Sequence, residues 1–228
     1  MKTIKWIFQL ATLSVIVAFT ACNSGEQKKA ADHNSSTNIV SEQMANEHSE
    51  KAETVMHVGH KGLAENFAHT NIAILETKAN INEASTNEFE EVINAYLQIK
   101  DALVNDNETK TDEAITIMAG KLKEVSEEKL LGEGLATWQN HQILYEAKLK
   151  EMKHIKGIEN KRSYFSHISE IMYCTIKSFG LKEGDLYAVY CPMAFNNKGA
   201  YWISDSKMIQ NPYMGSKMPA CGTIEEAL

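Results

Sequence analysis

The sequence predicts a mainly α protein: an antiparallel four-helix bundle that ends in a short β-hairpin and an irregular Cys/Met-rich loop. Three observations predict it. Between Ser85 and Phe179, four segments carry apolar residues three and four positions apart, the spacing that lines one face of a helix. Short polar or glycine-bearing turns separate them, and short turns favour antiparallel neighbours. Past Gly180 the apolar period drops to two, in DLYAVYCPM, and turn residues crowd the remainder of the chain.

The chain opens on an address. Lys2 and Lys5 precede an apolar run from Trp6 to Phe19, shorter than the roughly 20 residues a bilayer span needs. Next comes FTAC, a small-residue pair directly before a cysteine. This is the pattern of a lipoprotein signal: residues 1–21 read as the leader, and Cys22 as the lipidated first residue of the mature chain. Cys22 is therefore an anchor and leaves the ligand count. Residues 22–53 are polar and short of aromatics, the composition of a flexible linker. Residues 54–84 read as a partly helical lead-in where Met56, His57, His60 and His69 recur, with His57 and His60 at i and i+3. Surface histidines account for that cluster, and so does an accessory metal patch.

Residues 85–228 read as the domain. Ser85 and Glu88 have the capping-box spacing, and Phe89, Val92, Ile93, Tyr96, Ile99 and Leu103 form the first stripe. NDNET closes it. The second helix, Asp112 to Ser126, lines up Ile115, Met118, Leu122 and Val125, with Gly120 weakening it slightly. The third, Gly134 to Ile155, carries Leu135, Trp138, Tyr145, Leu149 and Met152, and Gly157 is placed to end it. The fourth, Glu159 to Phe179, buries Phe165, Ile168, Met172, Ile176 and Phe179 and stops at Gly180.

In the tail, Leu186, Ala188 and Tyr190 alternate with Tyr187, Val189 and Cys191 until Pro192 cuts the strand off. NNKG turns the chain into a second extended piece, AYWIS. Asn211-Pro212 and Gly215 mark further turns, with the Asn211 side chain capping its own. Trp202 is expected to cover the end of the bundle, its indole nitrogen on a partner.

Composition excludes several functions. Lysine and arginine number 23 against 30 acidic residues, a formal charge of −7, and loss of Lys2 and Lys5 with the leader makes the balance more acidic. No basic run can neutralise a phosphate backbone, so no nucleic-acid partner is expected. A glycine-rich phosphate loop, His-Glu-x-x-His and Gly-x-Ser-x-Gly are all missing. Cys174 has no nearby base, because His167 lies two helical turns away, about 10 Å along the axis. The chain reads as a non-enzyme, and Cys174 as a buried small hydrophobe.

What remains is sulfur. Cys191 and Met193 stand at i and i+2 across a proline, and Met214, Met218 and Cys221 at intervals of four and three. Thiolate and thioether are soft donors suited to Cu(I) or a related soft cation; zinc makes little use of thioether. In an exported chain the same cysteines can instead close a Cys191–Cys221 disulfide, with the methionines filling gaps in a small core. Once Cys22 is set aside, three cysteines leave at least one thiol unpaired. Spacing alone leaves both readings open, and gives Met208 no role.

YLQIKDALVND at Tyr96 to Asp106 and, above all, YCPMAFNNKGAYWISDSKMIQNPYMGSKMPACG at Tyr190 to Gly222 resemble the bacterial family called domain of unknown function 3347. The resemblance extends over roughly Glu88 to Glu226. It implies an exported protein of Bacteroidetes-type bacteria, related to domains fused to periplasmic adaptor subunits of copper/silver efflux pumps. The residues matching its motif are Cys191, Met193, Met218 and Cys221; Met214 stands where the resemblance implies an aromatic residue, and His57 and His60 lie outside its span.

The expectation is a lipid-anchored periplasmic protein, held at the outer membrane, whose Cys/Met loop binds Cu(I) or another soft ion and buffers it or hands it to an efflux adaptor. The alternative is a non-catalytic envelope interaction module, its tail clamped by a Cys191–Cys221 disulfide.

Overall fold

The computed structural model describes residues 62–228. The leader, Cys22, the linker, His57 and His60 lie outside the described residues. The described part is mainly helical: four long helices and a small three-stranded antiparallel sheet. The helices are α1 (Glu83–Val104), α2 (Glu108–Glu124), α3 (Gly132–His154) and α4 (Ile158–Phe179). The strands are β1 (Tyr187–Cys191), β2 (Ala200–Ser204) and β3 (Thr223–Ala227). A 3-10 turn at Gly62–Asn66 begins the lead-in to α1. Among the described residues, no helix is long and apolar enough to cross a membrane.

The apolar stripes are the core. Phe89, Val92, Ile93, Tyr96, Ile99 and Leu103 of α1 are buried, as are Ile115, Met118 and Leu122 of α2 with Val125 just beyond it. Trp138, Tyr145, Leu149 and Met152 of α3 join them, while Leu135 is only partly covered. α1 packs on α2, α2 on α3, α3 on α4, and α4 in turn packs against β2. α4 is consequently buried through every residue from Ile168 to Ile176, around its whole circumference.

Local signals were displaced at three points. The first helix is capped by Asn82, whose extended backbone lets its side-chain oxygen accept the Ser85 N–H; Ser85 and Glu88 make no capping box. The Ser85 hydroxyl is buried without a hydrogen-bond partner among the described residues, and Glu88 binds Ser126 and Lys129 instead. Gly157 does not end α3, which stops at His154. It precedes α4, with φ 86°, and donates its N–H to Glu108. The expected two-stranded hairpin has a third strand: β1 is central, with β2 on one side and β3 on the other. β3 is almost wholly exposed, so it carries no alternating apolar signal; backbone pairing to β1 holds it.

The first turn of α4 joins the other helices through two consecutive buried cations. Lys161 donates to Asp112 of α2 (2.7 Å) and to the Met152 carbonyl in the last turn of α3 (2.9 Å). Arg162 donates to the Leu103 carbonyl at the end of α1 (2.9 Å), to Asp106 in the turn before α2, and to the Pro212 carbonyl in the tail (2.7 Å). Asp106 also accepts the Ser216 N–H at 3.0 Å. Gly215 lies against this pair with φ 52°, where a Cβ would collide with both Asp106 and Arg162.

Asn211, fully buried, wires the tail from within. Its side-chain oxygen accepts the Tyr213 and Met214 N–H groups (2.8 and 3.0 Å), the Asx turn expected from Asn-Pro, and its amide donates to the Cys221 carbonyl (2.6 Å).

Both sets of contacts can be tested by substitution. Hydrogen bonds from Ser216 and the Arg162 guanidinium hold the Asp106 carboxyl down to about 2. Because this lies below the ordinary carboxylate value near 3.9, the contribution is full above about pH 4 and is lost as pH falls toward 2. Denaturation at stepped pH should show a steeper acid loss in the wild type than in Asp106→Asn; parallel losses would mean that the carboxylate contributes nothing. Asn211→Leu strips partners from three main-chain groups and should cost about 2–4 kcal/mol in urea denaturation, whereas an unchanged midpoint would refute the wiring.

Candidate functional site

Cys191 is the last residue of β1 and is buried; Cys221 stands two residues before β3 and is partly exposed. Their sulfurs lie 2.8 Å apart although 30 positions separate them in the chain. Antiparallel pairing sets this up, since Tyr190 lies opposite Thr223. Gly222 completes it: a Cβ there would stand 2.7 Å from the Trp202 ring and 3.2 Å from the Tyr190 carbonyl. Only a residue without a side chain lets the segment come this close to β1.

The partial charges around Cys221 are of mixed sign. The hydrogen bond shared with Cys191 and burial push its thiol up, while the Met193 N–H directed at it works the other way. The thiol is therefore the resting form at neutral pH, and any metal bound there must displace a proton.

After Cys191 the chain makes an expensive turn. Phe195, Asn196 and Asn197 are three consecutive non-glycine residues in the left-handed region, with φ of 52°, 59° and 65°. Each costs roughly 1–2 kcal/mol relative to ordinary backbone. The turn is closed by the Lys198 and Gly199 N–H groups on the Ala194 carbonyl (3.1 and 3.0 Å). NNKG marked a turn in the sequence, but nothing in it announced this strain.

The methionines differ in exposure. Met193 is 45% exposed, Met218 is half-buried and offers its carbonyl to the Cys221 N–H (3.2 Å), and Met214 is partly covered by the core. Met208 is exposed. Among the described residues, no group of three or more His, Cys, Asp or Glu is placed to hold a metal ion. A cation on Cys191 and Cys221 would therefore complete its shell from thioether, main-chain or solvent donors.

Other residues singled out in the sequence go elsewhere. Cys174 is buried in the core, and burial pushes its thiol far up. Trp202 is fully buried, yet its indole nitrogen finds no partner among the described residues, contrary to expectation; its ring meets that of Tyr213 edge-on, centroids 5.9 Å apart. His69 binds Glu170 of α4, a pairing across 101 positions that no spacing in the sequence signals.

No curated protein and no solved structure matches the chain. A family model, described as protein of unknown function (DUF3347), matches residues 92–184. This is narrower than the Glu88 to Glu226 the motifs suggest: it takes in most of α1, all of α2 to α4, and stops before Cys191, Met193, Met218 and Cys221. Over α1 to α4, the chain resembles the DUF3347 family.

Proposed function

We propose that this is a lipid-anchored periplasmic protein in which four helices, arranged as an antiparallel bundle, carry a sulfur site for Cu(I) or a related soft cation. The observation that carries the reading is the Cys191–Cys221 contact at 2.8 Å, with the Met193 N–H and the Met218 carbonyl both bonded to Cys221. Two thiolates sharing a tetrahedral ion at about 2.3 Å each would stand about 3.7 Å apart, so loading opens the pair by roughly 1 Å. Cys191 and Cys221 supply charge and affinity; the thioethers supply softness and exchange readily. A partner such as an efflux adaptor could then displace the ligands one at a time.

The same distance favours a second reading. A disulfide needs sulfurs about 2.05 Å apart, a closure of similar size, and the oxidised pair would clamp an interaction module. The two states exclude each other.

Anaerobic titration of the reduced protein against a competing Cu(I) chelator separates them. One equivalent should bind, with affinity rising with pH as thiol protons leave, and Cys191→Ser or Cys221→Ser should abolish it. Met193→Leu with Met218→Leu should weaken binding while leaving the thiol count unchanged. A Cys191–Cys221 bridge that survives mild reductant and excess Cu(I) would overturn the metal reading.

A further inference from the structure

A second polar centre lies where the lead-in crosses α4. Glu170, only 4% exposed, accepts the Ala68 N–H (2.9 Å), the His69 N–H (3.2 Å) and His69 Nδ1 (2.6 Å). The His69 ring stacks on that of His167, centroids 3.5 Å apart and planes within 5° of parallel. His167 is 6% exposed, and its Nε2 has no hydrogen-bond partner among the described residues. Burial and the neighbouring His69 push His167 down to about 4, so it is uncharged at neutral pH; burial pushes Glu170 up, against the His69 bond. Parallel stacked rings aim their lone pairs side by side rather than at one point. With no three-donor group present among the described residues, this is not a metal chelate.

Glu170 is also part of the wall of a cavity of about 470 Å³ shared with Asn66, Tyr190, Lys198 and Tyr201, within the size range of small-ligand sites. The tyrosine rings lie 4.6 Å apart, tilted by 37°. The Tyr190 hydroxyl rests on Gly199, where any side chain would collide with it. Opposite charges share this space without meeting: Lys198 makes no ion pair among the described residues, with Glu170 or any other carboxylate. A carboxylate has about four lone-pair directions, and three on Glu170 are taken. A cation alone would face Lys198, and an anion alone would face Glu170.

We infer that this cavity binds a small dipolar molecule of the α-amino-acid class. The ammonium takes the remaining Glu170 lone pair, the carboxylate meets Lys198 and the Asn66 amide, and the side chain lies against Tyr190 and Tyr201. None of the sulfur residues Cys191, Met193, Met218 and Cys221 lines this cavity, so its occupancy is independent of Cu(I).

Calorimetry on the full chain tests it with glycine, L-serine, L-glutamate and L-phenylalanine. Phenethylamine and 3-phenylpropionate, each keeping one charge of phenylalanine, are the controls. At least one amino acid should bind, and phenylalanine should bind roughly ten-fold or more tighter than either control, as expected for one charge-assisted contact. Lys198→Met, a surface change that breaks no contact of the fold, should erase the advantage of phenylalanine over phenethylamine. No binding by any of the four amino acids, equal binding of phenylalanine and phenethylamine, or an advantage unchanged in Lys198→Met would each overturn the inference.

Discussion

The rest of the structure depends on Lys161 and Arg162, neighbours on the first turn of α4 and both taken out of solvent. Burying a cation costs several kcal/mol unless its donors are matched. Here the match comes from helix ends: Lys161 takes a carbonyl from the last turn of α3, and Arg162 one from the last turn of α1. Those carbonyls carry the negative end of each helix dipole, and the Leu103 carbonyl accepts the Asp106 N–H as well. Because the cations are consecutive, α4 can satisfy both only where the ends of α1 and α3 are presented together. Apolar stripes tolerate sliding; two buried charges do not.

The same guanidinium extends the constraint into the tail. Arg162 holds the Pro212 carbonyl and, through Asp106, the Ser216 N–H, while Asn211 ties the intervening turn to the Cys221 carbonyl. On the other side, Tyr96 of α1 accepts the Ile203 N–H of β2, and Tyr213 donates to the Tyr201 carbonyl. The sulfur pair is therefore suspended between a sheet and a loop, each separately fixed to the helices. The strained turn at Phe195 to Asn197 is held within that frame.

How far the sequence discloses this depends on the range of each interaction. The stripes of α1 to α4 were legible because 3.6-residue periodicity is local and repeated. The cap at Asn82 was not, since Asn82 and Ser85 are both good caps and only backbone geometry chooses. Nothing local marks Lys161 and Arg162, because most of their partners stand 49 to 59 positions away. β3 escaped notice because an exposed edge strand needs no apolar alternation. The sulfur residues stood out by chemistry alone, as soft donors concentrated near the C-terminus. The His69–Glu170 pair had neither periodicity nor rarity to mark it.

The sulfur separation of 2.8 Å lies between the bonded distance near 2.05 Å and the roughly 3.7 Å of two thiolates on one tetrahedral ion. A frame rigid at either extreme would commit the pair to one chemistry. This frame differs on its two sides. Cys191 is buried at the end of the central strand, paired with Ala200 of β2, and its neighbour Tyr190 is paired with Thr223 of β3. Cys221 sits in a short connection between the Asn211 contact and β3, half open to solvent. Movement of less than 1 Å in either direction is accordingly assigned to the Cys221 segment, where fewer main-chain bonds resist it. The Asn211 amide, donating to the Cys221 carbonyl, is the contact that sets how far that segment travels.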